Sequence, residues 1–297
     1  MSHTKYEMDD KGKCIFEQSQ NMKLDTLTIY PIKSTAPIHL TESEVNELGL
    51  KHDRQWGVFD STNKIMTGRD FPQLLDVSCV FDGIQCQISY QHRLVGTFKI
   101  FTRDSATEDL QIHSYMAFGK KVNPAIDAWL TDLLGQSAHL REVDNSRIRP
   151  VLAKHGGNDG DRVAFADQAP VLLMGTASLE DLNQRLKDQI GMDRFRPNLI
   201  IKTTEPHVED SWEIIEIGNV PFRVIQQCER CVFTTIDTAS KKKHPRAEPL
   251  RTLAQYRIGP RGGVVLGVHA VPLKSGVIKK NDPLKVITSV NRSVKVK

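Results

Sequence analysis

The 297-residue chain has no apolar run approaching the roughly 20 residues that a membrane-spanning helix requires. Its first 21 residues are polar and mixed in charge. They lack the apolar core of a secretory signal and the Arg-rich, acid-poor character of an organellar transit peptide. They read as a loose polar extension, and the expected location is the cytoplasm, with no membrane partner. Cysteine is scarce, with five residues: Cys14, Cys79, Cys86, Cys228 and Cys231. An odd count without a signal argues against a disulfide framework. The charge excess is only +4, which suits an anionic small molecule as well as nucleic acid and selects neither. Internal repeats and low-complexity segments are lacking too.

What is present is an ordinary globular composition, 39% hydrophobic and 26% charged, in a chain long enough to bury a substantial core. Residues 24–31 (LDTLTIYP) alternate at period two, a strand signal closed by Pro31. Short strand candidates follow at 38–40, 56–59, 65–66, 77–80, 86–90 and 97–101, with a hairpin turn at Asp60-Ser61-Thr62-Asn63. Residues 23 to about 115 are therefore expected to be mainly β. The spacing of Ile126, Trp129, Leu130, Leu133 and Leu134 predicts a helix over 124–134, with Gly135 as its stop. The polar, Gly-rich KHGGNDGD at 154–161 reads as a loop, and a domain boundary is placed near residue 150. A second helix is expected after the apolar run 170–174. Thr176 or Ser178 would cap it, Glu180 and Asp181 would lie in its first turn, and Leu179, Leu182 and Leu186 would form its apolar stripe. Strands are expected at 199–202, 212–217, 222–225, 232–236, 264–271 and 284–287, with Gly218-Asn219 as a hairpin turn. The fold class is mainly β with peripheral helices (α+β), a β-barrel core.

The segment Cys228-Glu229-Arg230-Cys231 has the greatest chemical potential. A C-x-x-C pair serves as half a zinc site, as a redox pair opening a helix, or as two buried thiols. Close third and fourth zinc ligands are missing from the sequence. The following Val-Phe-Thr-Thr-Ile looks strand-like rather than helical. Arg230 between the thiols favours thiolate, a soft donor suited to a metal that carries other sulfur ligands. Arg196-Pro197-Asn198, Lys33-Ser34 and Asp53-Arg54 each bring a cation beside an expected strand end, where a phosphate or oxo-anion could be held. The basic run Lys241-Lys242-Lys243-His244 is interrupted by Pro245 and Glu248 and has no aromatic platform, so it reads as a solvated loop without a nucleic-acid partner.

Taken in order, YPIKS at 30–34, HDRQW at 52–56, TGRDFPQ at 67–73, ASLEDLNQRL at 177–186, FRPNLII at 195–201, EDSW at 209–212, CERCVFTTID at 228–237 and EPLRTLAQYR at 248–257 span nearly the whole chain. This series resembles the MOSC superfamily, and within it the group of bacterial YcbX and the mitochondrial amidoxime reducing component. The resemblance implies an N-terminal MOSC-associated β-barrel-type subdomain (23–145) after the 1–22 extension, and a MOSC β-barrel (150–290), with molybdopterin held between them. By position, Cys231 matches the molybdenum-ligating cysteine. Lys33, Ser34, Arg54, Arg196, Asn198 and Arg230 match positions that hold the pterin dithiolene cofactor and its phosphate. Asp167 matches an acidic residue near the metal, which makes it, or a water beside it, the candidate proton donor. The implied activity is molybdenum-dependent reduction of N-hydroxylated compounds: hydroxylamines, amidoximes and N-hydroxylated bases. The alternative is a non-catalytic cofactor carrier or sulfur-handling module. YcbX-type proteins usually continue into a ferredoxin domain. No cysteine follows Cys231 here, so the expectation is no iron–sulfur cluster and electrons from a separate ferredoxin- or flavin-type protein. A second departure is Glu229, where the family usually has Ser.

Overall fold

The computed structural model describes residues 22–100 and 105–294, together with the backbone of two short paired strands, Glu7–Met8 and Cys14–Ile15. The rest of residues 1–21 of the extension lies outside the described residues. The chain is mostly β, with barrel-like sheets. Among the described residues no helix is long and apolar enough to cross a membrane, which leaves strand-crossing proteins unaddressed.

The largest sheet runs in the order Leu284–Ser289, Trp212–Ile217, Val220–Glu229, Val265–Pro272, Val171–Gly175, Leu199–Lys202, Lys23–Ile29 and Ile38–Leu40. All its pairings are antiparallel except Val171–Gly175 with Leu199–Lys202. It therefore takes strands from both sides of residue 150. In Lys23–Ile29 the buried Leu24 and Leu27 sit an odd number of residues apart. A register shift opposite Ile200 and Ile201 absorbs the extra residue, so both side chains enter one core. That core also gathers Leu173, Leu199, Trp212, Phe222 and Val268, all essentially inaccessible to solvent.

A second sheet, ordered Thr107–Ile112, Tyr115–Lys121, Ala138–Val143, Trp56–Asp60 and Ile65–Met66, carries a separate core. Against it packs helix α1, Pro124–Leu134, through Ile126, Leu130 and Leu134. The Asn123 side chain accepts from the Ala125 amide, Pro124 occupies the first turn, and Gly135 ends the helix at φ 70°. The hairpin at 60–64 is held by the Asp60 carboxylate, which accepts from the Thr62 and Lys64 amides.

Helix α2, Thr176–Arg185, differs from expectation at its start. It begins one residue after Gly175, without a side-chain cap, and Glu180 and Asp181 fall beyond its first turn. Thr176 and Ser178 are engaged elsewhere: the Thr176 hydroxyl donates to the Thr203 carbonyl, and Ser178 donates to the buried Glu209 carboxylate at 2.7 Å. Glu209 also accepts from the Gly175 amide, so a tertiary carboxylate satisfies the helix N-terminus in place of a local cap. Residues Val232–Thr235 form a 3-10 turn, not the expected strand. The Thr234 and Thr235 hydroxyls donate to the Cys231 and Val232 carbonyls, a local bonding pattern that competes with a sheet ladder.

Ser178→Ala removes a donor from Glu209 and the acceptor of the His207 amide, all away from bulk water. The expected cost is about 1–3 kcal/mol, read as a lower urea midpoint with an unchanged slope. An unchanged midpoint contradicts this account of α2.

Candidate functional site

All eight residues singled out from the sequence line one cavity of about 330 Å³. Lys33 and Ser34 follow the first strand of the large sheet, and Arg54 precedes Trp56–Asp60. Arg196 and Asn198 precede Leu199–Lys202, and Arg230 and Cys231 follow Val220–Glu229. The cavity is thus built from strand ends and the turns leaving them.

At its base, the Tyr30 ring lies beneath two guanidiniums, Arg54 at 4.3 Å and Arg196 at 3.9 Å from the centroid. Arg54 donates to Asp53 (2.7 Å), Asn198 Oδ1 (2.9 Å) and the Arg196 carbonyl (3.0 Å). Arg196 donates to the Thr35 carbonyl at 2.8 Å. Burial pulls the Arg196 guanidinium down to about 10, which leaves it charged at neutral pH. Asn198 is fully buried and binds strands together: Nδ2 donates to the Thr28 carbonyl while Oδ1 accepts from Arg54 and the Leu172 amide. Its amide also bonds the Asp53 carboxylate, so Asn198 braces the site and has little left to offer a ligand.

The C-x-x-C pair divides sharply. Cys228 is buried and accepts from Arg230 Nη1 at 2.8 Å, whereas Cys231 is exposed. Burial pushes the Cys228 thiol up, with Arg230 opposing. Of the two thiols it was expected to bias toward thiolate, Arg230 bonds the buried one. Among the described residues no three His, Cys, Asp or Glu side chains are grouped to hold a metal, so the zinc reading finds no further ligands there. Glu229 is paired with Arg261 at 2.9 Å, which offsets its charge beside the cavity.

Asp167 meets Lys33 Nζ through Oδ1, His113 Nε2 at 3.1 Å and Arg69 at 3.4 Å. Desolvation raises its carboxyl, but Lys33, His113 and Arg69 outweigh that and hold it well below the usual carboxylate range. It is a carboxylate at neutral pH, which disfavours the proton-donor role considered for it. His269, also on the wall, is pushed down to about 3 by burial and by Arg230, and stands neutral. Sequence reasoning missed His113, Tyr115 and His269. Arg69 lay inside TGRDFPQ and was legible; His113 sits at a hairpin tip with no local signature. Gly68 must lack a side chain: a Cβ there would come within 2.8 Å of the Phe233 ring.

Residues 21–137 match the model of the MOSC N-terminal beta barrel domain, and residues 160–285 match that of the MOSC domain. The chain belongs to the MOSC family. Among relatives of this MOSC protein, mitochondrial amidoxime-reducing component 1 of Danio rerio is 30% identical over 273 residues, covering 88% of this chain and 84% of that protein. Its Homo sapiens namesake is 30% identical over 278 residues, covering 88% and 82%. The molybdenum cofactor sulfurase of Solanum lycopersicum is 29% identical over 279 residues, 86% of this chain but 34% of that protein.

Because the folded Asp167 carboxyl is depressed, its pairing stabilises the MOSC protein above the unfolded value near ~3.9 and is lost as pH falls through the lower folded value. Asp167→Asn should cost about 1–2 kcal/mol at pH 7, a buried-pair loss discounted for a side chain that is 44% exposed. The difference from wild type should shrink below about pH 4, followed by urea unfolding between pH 2 and 7. A constant difference across that range refutes the assignment.

Proposed function

We propose that this chain holds a molybdenum–pterin dithiolene cofactor in the cavity and reduces N-hydroxylated compounds with electrons from a separate ferredoxin- or flavin-type protein. One observation carries the reading: six cationic side chains, Lys33, Arg54, Arg69, Arg194, Arg196 and Arg230, face a cavity that also presents the exposed thiol of Cys231. Among the described residues the carboxylates on that wall, Asp167 and Glu229, are both paired with cations.

The donor set fits an anionic, sulfur-rich group. A thiol is a soft ligand for a metal that already carries dithiolene sulfur. Guanidiniums suit a phosphate by their planar fork of donors. The Arg230 Nε is buried without an acceptor, a donor left for a ligand atom. When bound, the cofactor supplies two-electron removal of oxygen from nitrogen. The chain's own part is to hold that group by Cys231, offset its charge with Arg54, Arg196 and Arg230, and keep His269 neutral beside it. Ser34 is a further hydroxyl on the wall, and Lys33 is fixed by the Phe165 carbonyl at 2.8 Å. The amidoxime-reducing relatives, covered over more than four fifths of their length, support this reading. The sulfurase relatives favour a second one, a cofactor carrier or sulfur-handling role without turnover.

The test is molybdenum content and anaerobic turnover of an amidoxime with a viologen reductant, after expression in a cofactor-producing host. Wild type should carry near-stoichiometric metal and release the amidine. Cys231→Ala should lose turnover and most of the metal. Metal without turnover favours the second reading, and folded wild type that stays metal-free overturns both.

A further inference from the structure

Reduction of an N–O bond consumes protons as well as electrons. For a hydroxylamine, the N–O bond breaks, two electrons from the redox partner reduce the nitrogen, one proton converts the departing hydroxyl to water, and a second forms the N–H bond of the amine. Asp167 is a poor source, since Lys33, Arg69 and His113 hold it as a carboxylate. The group facing it is different. His113 sits at the tip of the hairpin joining Thr107–Ile112 to Tyr115–Lys121, on the cavity wall, with its side chain 32% exposed. Solvent therefore reaches the imidazole, as it reaches the Asp167 carboxylate that the ring touches, whose side chain is 44% exposed.

Its hydrogen bonds are in conflict. Nε2 lies 3.1 Å from Asp167 Oδ1 and 2.9 Å from Arg69 Nη2. Toward Asp167 this nitrogen must donate; toward the guanidinium it must accept. One ring nitrogen cannot do both. With Nε2 protonated, Asp167 is satisfied and Arg69 keeps only its longer contact to Asp167 at 3.4 Å. With Nε2 bare, Arg69 is satisfied and the lone pair faces a carboxylate. Asp167 and Arg69 thus bias the imidazole in opposite directions, with Lys33 acting on it through Asp167. The backbone here is left-handed, φ 54°, a conformation uncommon outside glycine, and the Gln111 side chain donates to the His113 carbonyl at 2.8 Å.

We propose that His113 is the proton carrier of this site, loading from solvent and delivering into the cavity it lines, while Asp167 and Arg69 position it. The proposal rests on the reductase reading above. A proton held on Nε2 by Asp167 passes to a water or substrate oxygen in the cavity, and the neutral imidazole is then stabilised by Arg69 until solvent reprotonates it.

The test uses His113→Gly and His113→Asn in the cofactor-loaded enzyme, since both residues accept a left-handed backbone. The first readout needs no cofactor: in the unloaded protein, nitrogen-15 signals of the imidazole should shift between wild type and Asp167→Asn. The second is the pH profile of amidoxime reduction with a viologen donor. Wild type should decline on the alkaline side. Both variants should fall about 100-fold and lose that decline, and added imidazole should restore His113→Gly but not His113→Asn. Active wild type with unchanged variants, or rescue absent in His113→Gly, overturns the proton carrier alone. Loaded wild type that reduces nothing overturns the reductase reading and the carrier with it.

Discussion

Cations concentrated in a confined space must be anchored without being neutralised, and in this chain carbonyl oxygens do much of the anchoring. Arg196 donates to the Thr35 carbonyl, Arg230 to that of Phe195, Lys33 to that of Phe165 and Arg54 to that of Arg196. Among the described residues neither Arg196 nor Arg230 has a carboxylate within ion-pair distance. Lys33 and Arg54 are also paired with Asp167 and Asp53, but for Arg196 and Arg230 the carbonyl fixes the guanidinium by its dipole and leaves the net charge standing. The like charges repel in a region of low dielectric, and the Tyr30 ring beneath Arg54 and Arg196 moderates this only in part. The arrangement costs stability as it stands and returns it when an anion enters. That imbalance, more than any single contact, makes the cavity a site.

Holding side chains this way constrains the backbone. Ser34, Arg54, Arg196 and His113 all adopt left-handed conformations, with φ between 47° and 72°. None is glycine, so each conformation must be imposed by its surroundings. Asp53 shows how: its carboxylate accepts from the Tyr30 amide and from Arg54, tying the turn at 53–54 to the end of the first strand. Asn198 repeats the device from the other half of the chain, joining the Thr28 carbonyl, the Leu172 amide and Arg54. The large sheet takes strands from both halves, and the site lies where their turns meet.

Much of this was legible in the sequence. Helix α1 was readable to its bounds because its signals are local: Pro124 at the start, Gly135 at the end and an apolar stripe between. The eight site residues came from motif order and converge on one cavity. What sequence could not supply was long-range competition. Val232–Thr235 carries β-branched residues, yet its threonines bond back to the preceding carbonyls. Ser178 looked like a cap, but Glu209 captures it from 31 residues away. The cation of Arg230, next to Cys231 in sequence, was claimed by the buried Cys228. Each is a choice between partners of similar local merit that only tertiary packing decides.

The central claim is that an exposed thiol beside Arg196 and Arg230, which have no carboxylate partner among the described residues, holds the metal of an anionic, sulfur-bearing cofactor. The most direct measurement is molybdenum-edge X-ray absorption on the loaded wild type beside loaded Cys231→Ser. The account predicts one more sulfur neighbour in the wild type than the dithiolene pair alone provides, and its loss in the variant. An identical sulfur count in the two proteins would contradict it.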